Sequence, residues 1–405
     1  MKENPRLRAV REVRGELASL GVDPFGIQID EILSPTEGLI QGRKTILAGT
    51  NNYLGLTFDP DCIAAARDAL EHAGTGTTGS RMANGSYAAH RELELDLARF
   101  YGKRDAIVFS TGYQANLGMI SALAGPGDTV MIDADSHASI YDGCNLSGAN
   151  TIRFRHNDPD DLAKRMRRLG DEAANALIVV EGVYSMLGDR APLREFVEVK
   201  KQFGATLLVD EAHSMGVLGH KGQGLGEELG VLGDIDYVVG TFSKSLGNTG
   251  GFCVGDTDEM EVLRYASRPY VFTASLPPAT IAATRAALRK LEVATDLRDR
   301  IRDNAARLHA GLAKLGFRLG APANAVVAVL AGDKVEALRF WHHLLKQGVY
   351  VNVMVPPATP GNESLLRCSV SAAHTPAQID AICAAFASWP HRDGVTGTAQ
   401  AALGQ

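Results

Sequence analysis

Between residues 61 and 275, short apolar runs alternate with longer segments of helical period. The apolar runs are 106–109, 129–132, 151–154, 176–180, 206–209, 237–239 and 251–254. Helical patterns over 86–101, 113–124, 158–169 and 192–203 fill most of the gaps. Alternation of this kind predicts an α/β fold, with a mostly parallel central sheet covered by helices on both faces. In such sheets ligands bind at the carboxyl ends of the strands.

The flanks read differently. Residues 5–20 have Leu7, Val10, Val13, Leu17 and Leu20 at helical spacing, an amphipathic helix that packs on a core or a partner subunit. Residues 26–50 are mixed, with strand-like Gly38-Leu-Ile and Thr45-Ile-Leu, and Asp59-Pro60 starts a helix. Pro277-Pro278 opens a long, interrupted helical region over about 278–316. Beyond it, 325–330, 349–353 and 365–370 read as strands, and 334–347 and 376–388 as helices. The expected division is an N-terminal helix and arm over 1–60, a large domain over 61–275, a smaller C-terminal α+β domain over 276–390 and a disordered tail over 391–405.

Composition removes several function classes. The chain is 45% hydrophobic and 22% charged, ordinary values for a globular protein of 405 residues. A net charge of −6 gives no basic footprint for nucleic acid. The five cysteines are odd in number and include no Cys-x-x-Cys pair, which predicts a reducing cytoplasmic setting and no metal site. No apolar run reaches the roughly 18 residues that a membrane-spanning helix needs, and residues 1–14 are too charged for a secretory signal.

Five strand ends carry polar groups. The run Tyr237-Val-Val ends in Gly240-Thr-Phe-Ser-Lys244, with glycines at 247, 250 and 251. A lysine there, between hydroxyls and glycines, suits an amine that must meet a carbonyl carbon beside a phosphate. Leu207-Leu-Val-Asp210 places a carboxylate at the end of a buried strand, where it needs a cation such as a protonated pyridinium nitrogen. His213 follows three residues on, placed to bond a ring oxygen. Gly112 and Tyr113 open a helix after a strand and offer backbone amides to a phosphate. His137, in Asp135-Ser-His-Ala-Ser, suits stacking on a flat ring. Together these are the requirements of pyridoxal phosphate (PLP).

The order, with about 34 residues from Asp210 to Lys244, resembles fold-type I PLP transferases. Asn51-Asn-Tyr-Leu-Gly-Leu, Phe109-Ser-Thr-Gly-Tyr-Gln-Ala-Asn, Asp133-Ala-Asp-Ser-His-Ala-Ser-Ile, Val209-Asp-Glu-Ala-His-Ser-Met-Gly and Gly240-Thr-Phe-Ser-Lys are similar to the α-oxoamine synthase family. Its members condense an amino acid with an acyl thioester and lose CO2. Gly79-Ser-Arg-Met-Ala-Asn-Gly-Ser86 and Pro356-Pro-Ala-Thr-Pro360 resemble the bacterial homodimeric members that use L-serine and a long-chain acyl-CoA or acyl carrier protein.

The resemblance implies roles. Lys244 carries the cofactor covalently, Asp210 holds the ring nitrogen protonated, His213 bonds the ring oxygen, and His137 stacks on the ring and helps hold the substrate carboxylate. Gly112, Tyr113, Thr241 and Ser243 line the phosphate side. Thr273 reaches the phosphate of the other subunit. Asn52 and Arg367 approach the amino-acid carboxylate, and Ser80 and Met82 lie toward the thioester. A lipid product leaves peripheral contact with the inner membrane surface open. Many relatives carry an arginine just before Pro-Pro-Ala-Thr-Pro, where this chain has Val355. Either Arg367 alone grips the carboxylate, or the amino-acid preference has shifted. The sibling reactions are 8-amino-7-oxononanoate synthesis and glycine C-acetyl transfer. A non-catalytic partner subunit would lack Lys244, and an aminotransferase would release no CO2.

Overall fold

The computed structural model describes residues 4–390 apart from 20, 22, 357, 358, 360 and 362, so the expected tail and part of the Pro356–Pro360 segment lie outside the described residues. The chain forms two compact units. Of the described residues, the larger comprises those in 51–185 and 189–302, and the smaller those up to 50, in 186–188 and from 303 on. This differs from the expected division in two places: residues 1–50 group with the C-terminal unit, and the large unit continues to 302. The strand Val349–Tyr350 pairs with Arg43–Leu47, which ties the N-terminal arm to the C-terminal unit. The helix Pro278–Val293 packs on the helices Pro60–Ala73 and Ala88–Tyr101, which holds it in the large one.

The large unit is built on a seven-stranded sheet. Across it run Asp105–Phe109, Gly251–Gly255, Tyr237–Thr241, Thr206–Asp210, Leu177–Glu181, Thr129–Asp133 and Asn150–Phe154. All seven are the apolar runs of the sequence, six of them extended by a residue or two and 176–180 shifted by one. Gly251–Gly255 runs antiparallel to both its neighbours, and the other pairs are parallel. Leu177–Glu181, Tyr237–Thr241 and Gly251–Gly255 are buried at every position, so both faces of the sheet are covered. One face presents Ile107, Phe109, Val130, Ile132, Val179, Leu208 and Val239 to Ala115, Met119, Ile120, Ile140 and Cys144. Those five side chains come from the helices Gly112–Leu123 and Ala138–Ser147.

The smaller unit has two sheets. Glu31–Ser34, Glu37–Ile40 and Arg43–Leu47 form an antiparallel meander, extended by Val349–Tyr350. Val326–Leu330, Leu365–Ser369 and Asn352–Met354 form the second. The expected single strand over 349–353 is therefore two strands in different sheets, parted at Val351. Phe317, Phe340, Phe386 and Trp389 form an aromatic core in this unit. The expected helical region over 278–316 divides at Ala294 into Pro278–Val293 and Thr295–Lys314.

Candidate active site

Parallel strands of matched register end at one level. Glu181 and Asp210 are register partners, as are Asp210 and Val239, two residues before Thr241. Their polar ends therefore converge at one edge of the large unit. Asp210, 6% exposed, receives Asn116 Nδ2–H on Oδ2 at 2.7 Å and the Ala212 amide on Oδ1 at 2.9 Å. Asn116 also bonds the Ser139 hydroxyl at 2.9 Å, and that hydroxyl lies 2.8 Å from His137 Nδ1. The His137 amide donates to Glu181 Oε1 at 2.6 Å.

Charge here is coupled. Burial pushes the His137 pKa below the usual histidine value; Asp210 opposes this and Lys244 adds to it. Burial, reinforced by the charge of Asp210, lifts the Glu181 carboxyl well above the usual carboxylate range. Lys244 and Asp133 act on Glu181 in opposite senses. These mutual influences place Lys244, His137, Asp210 and Glu181 in one electrostatic neighbourhood.

Lys244 stands on a tight loop after Tyr237–Thr241. The loop is closed by Phe242 N–H to Gly250 O at 3.0 Å and Asn248 N–H to Phe242 O at 2.9 Å, and the Gly247 amide donates to Lys244 O at 3.0 Å. Thr241 Oγ1 lies 2.8 Å from Ser243 Oγ and accepts from the Ser243 amide at 3.2 Å. The start of the helix Gly112–Leu123 abuts these hydroxyls. A Cβ on Gly112 would lie 2.7 Å from Thr241 Cβ, and one on Gly251 would lie 2.5 Å from Gly112 N. The absence of both Cβ atoms is what lets the helix start and the strand end approach.

The other expected residues fall in several places. His213 Nδ1 is 2.6 Å from the Tyr53 hydroxyl, and Asn52 Nδ2 donates to Thr57 Oγ1 at 2.8 Å. Tyr113 is 42% exposed, with its hydroxyl on Asp142 Oδ2, whose hydrogen bond raises the phenol pKa. Thr273 accepts from Gln114 Nε2 at 3.3 Å, so within its own chain it lies beside the first turn of the Gly112 helix. Ser80 bridges to Ala274, the next residue along, and Met82 is 41% exposed. Arg367 is buried in the smaller unit, on Leu365–Ser369. Sequence reasoning passed over Asn116, Ser139 and Tyr53 as site residues. All three stand inside the motifs quoted for the family, which was the available signal.

The chain belongs to the aminotransferase class I and II family, which it matches over residues 43–386. Its fold is that of the fold-type I PLP transferases. It is 58% identical over 374 residues to the serine palmitoyltransferase of Caulobacter vibrioides (strain NA1000 / CB15N), covering 92% of this chain and 93% of that one. The serine palmitoyltransferase of Sphingomonas paucimobilis is 54% identical over 387 residues, 95% of this chain and 92% of the relative. A solved serine palmitoyltransferase structure with the PLP internal aldimine superposes with a TM-score of 0.92 at 53% identity, covering 94% of this chain and 96% of that one.

Proposed function

We propose that this chain has serine palmitoyltransferase activity: it condenses L-serine with a long-chain acyl thioester, releases CO2 and the free thiol, and forms 3-ketodihydrosphingosine, the first step of sphingolipid synthesis. The observation that carries this reading is the convergence of Asp210, His137 and Lys244 at neighbouring strand ends, in a chain 58% identical to a serine palmitoyltransferase. The residues fit PLP. The close approach at Gly112 and Gly251 brings the start of the helix Gly112–Leu123 against the Thr241 and Ser243 hydroxyls, a pairing that suits a phosphate, and Asp210 presents an acceptor-only group for a ring nitrogen.

Bound PLP supplies an electron sink that stabilises negative charge at the substrate Cα. The chain does the rest. Lys244 anchors the cofactor and moves the proton at the serine Cα. Asp210, oriented by Asn116 and Ala212, holds the proton at the ring nitrogen. His213 bonds the ring oxygen, and His137 covers the ring and steadies the substrate carboxylate. The Gly112 amide, Tyr113, Thr241 and Ser243 hold the phosphate. In the proposed homodimer Thr273 reaches the phosphate of the second subunit. Asn52 and Arg367 take the amino-acid carboxylate, and Ser80 and Met82 face the thioester; for Arg367 the support is the family resemblance. The acyl donor is acyl-CoA or acyl carrier protein. Among the described residues no helix is long and apolar enough to cross a membrane.

The test is mass spectrometry of products from a panel of amino acids and acyl thioesters, with CO2 measured alongside. Serine and palmitoyl thioester should give the C18 ketone, and Lys244→Ala should give none. A preference for glycine or alanine would overturn the serine assignment, and transamination without CO2 would overturn the reaction class.

A further inference from the structure

We propose that Ser139 and Asn116 are positioning residues that lock His137 as a neutral imidazole, with its proton on Nε2, and tie it to the Asp210 carboxylate. The inference rests on the reading that His137 lies against the cofactor ring. The protons themselves are assigned by the chain's own donors and acceptors.

His137 is the N-cap of the helix Ala138–Ser147, and the cap is made by its ring. The Ser139 amide lies 3.2 Å from Nδ1 and can only donate, so Nδ1 must offer a lone pair. At the other end, the Asp210 carboxylate offers only acceptors, so the NH2 group of Asn116 must face it. The second proton of that NH2 points to Ser139 Oγ at 2.9 Å. One lone pair of the hydroxyl is thereby used, and its proton turns to His137 Nδ1 at 2.8 Å. Every proton in the chain Asp210–Asn116–Ser139–His137 then has one direction. The single Nδ1 lone pair is shared by the Ser139 hydroxyl and amide, which leaves the ring proton on Nε2.

Two further observations support a positioning role. Asn116 and Ser139 are 2% and 1% exposed, yet Asn116 Oδ1 has no hydrogen-bond partner. Both protons of its NH2 group are engaged, on Asp210 and Ser139, so the amide is held from that side. The main chain of His137 is also fixed, through its amide on Glu181. The charged groups that act on the imidazole are Asp210, Lys244 and Asp142. The free edge of the locked ring presents an uncharged N–H donor, which suits the acceptor oxygens of an amino-acid carboxylate.

The decisive experiment uses apoprotein labelled with 15N-histidine, with His137 assigned from the signal lost in His137→Gln. Long-range 1H–15N spectra should show wild-type His137 with Nδ1 unprotonated and Nε2 protonated. In Ser139→Ala the remaining amide keeps the proton on Nε2, but loss of the hydroxyl bond should move the Nδ1 signal, and Ser139→Thr should restore the wild-type pattern. PLP titration of the same samples should show Asn116→Leu binding about tenfold more weakly, as for loss of a hydrogen bond to a charged group. A proton on Nδ1 in the wild type, or an Nδ1 signal that does not move in Ser139→Ala, overturns the lock. The wild-type spectrum decides this even if a variant fails to fold. Wild-type apoprotein that shows the lock but does not bind PLP upholds the lock and overturns the cofactor reading instead.

Discussion

The hydroxyl of Tyr53 and Nδ1 of His213 stand 2.6 Å apart, and both side chains are buried. Tyr53 thus steadies the imidazole proposed to bond the cofactor ring oxygen. Tyr53→Phe keeps the packing and removes the bond, at a cost of about 1–3 kcal/mol for a buried polar group left without that partner. The expected outcome is a lower unfolding midpoint together with a shifted pH titration of cofactor absorbance. A change in stability alone would mean that His213 does not depend on Tyr53 for its work on the ring.

Gly251 has no room for a methyl group. A Cβ there would meet Gly112 N and Thr111 O at 2.5 Å, and both are backbone atoms that cannot swing aside. Gly251→Ala should push the helix start away from Thr241 and cost roughly 1–3 kcal/mol. PLP affinity should fall with it. Equilibrium titration checks this, and unchanged affinity would count against the phosphate cradle.

His156 is clamped between two carboxylates, with Nδ1 2.8 Å from Asp133 and Nε2 2.8 Å from Asp189. Burial opposes its charge, but the two aspartates overcome this and lift its pKa to about 10. Asp135 lies 3.8 Å from Nδ1, and the ring meets Tyr184 edge-on. A folded pKa above the unfolded value of about 6.5 means the clamp contributes fully below pH ~6.5 and is lost as pH rises through about 10. Thermal unfolding of wild type and His156→Gln should differ most near pH 6 and converge near pH 10. A gap that stays constant or widens with pH would contradict the clamp.

Arg367 is the cation proposed for the serine carboxylate, and position 355, where the family resemblance predicts an arginine, is a valine. Arg367→Ala should raise the serine concentration needed for the substrate-induced absorbance change, by about 2–5 kcal/mol as for truncating one partner of a desolvated charge pair. Val355→Arg should have the smaller effect, with tighter serine binding as its expected direction. Serine titrations of both variants decide the matter. If Arg367→Ala binds serine normally, the carboxylate belongs to Asn52 and His137.

The inner strands of the large unit were legible because burial on both faces forces uninterrupted apolar runs, as in Leu177–Glu181, whereas the edge strand Asn150–Phe154 is largely exposed. The helix Ala138–Ser147 was not. Its sequence mixes Ser, Tyr, Asp, Gly and Asn, and its cap is an imidazole rather than a Ser, Thr, Asp or Asn side chain. The break at Val351 was hidden for another reason: the strands on either side of it pair with remote partners. Site residues at strand ends could be read because each follows an apolar run. Their partners could not. Asn116 and Asp210 are 94 positions apart, and Tyr53 and His213 are 160 apart, so only the folded chain makes them neighbours.

The reversed strand Gly251–Gly255 has a thermodynamic consequence. Gly251 is the register partner of both Phe109 and Thr241, so Phe109 meets, at one point, two segments more than a hundred residues further along the chain. No fragment of the chain contains a cofactor site before the sheet has closed, and the unfolded ensemble has none to offer. Under the proposed function, every molecule of PLP bound therefore favours the closed sheet. At a free concentration of 100 times Kd, this linkage adds about 2.7 kcal/mol to global stability. Cofactor supply would then set how much of this protein a cell keeps folded, independently of how much substrate it turns over.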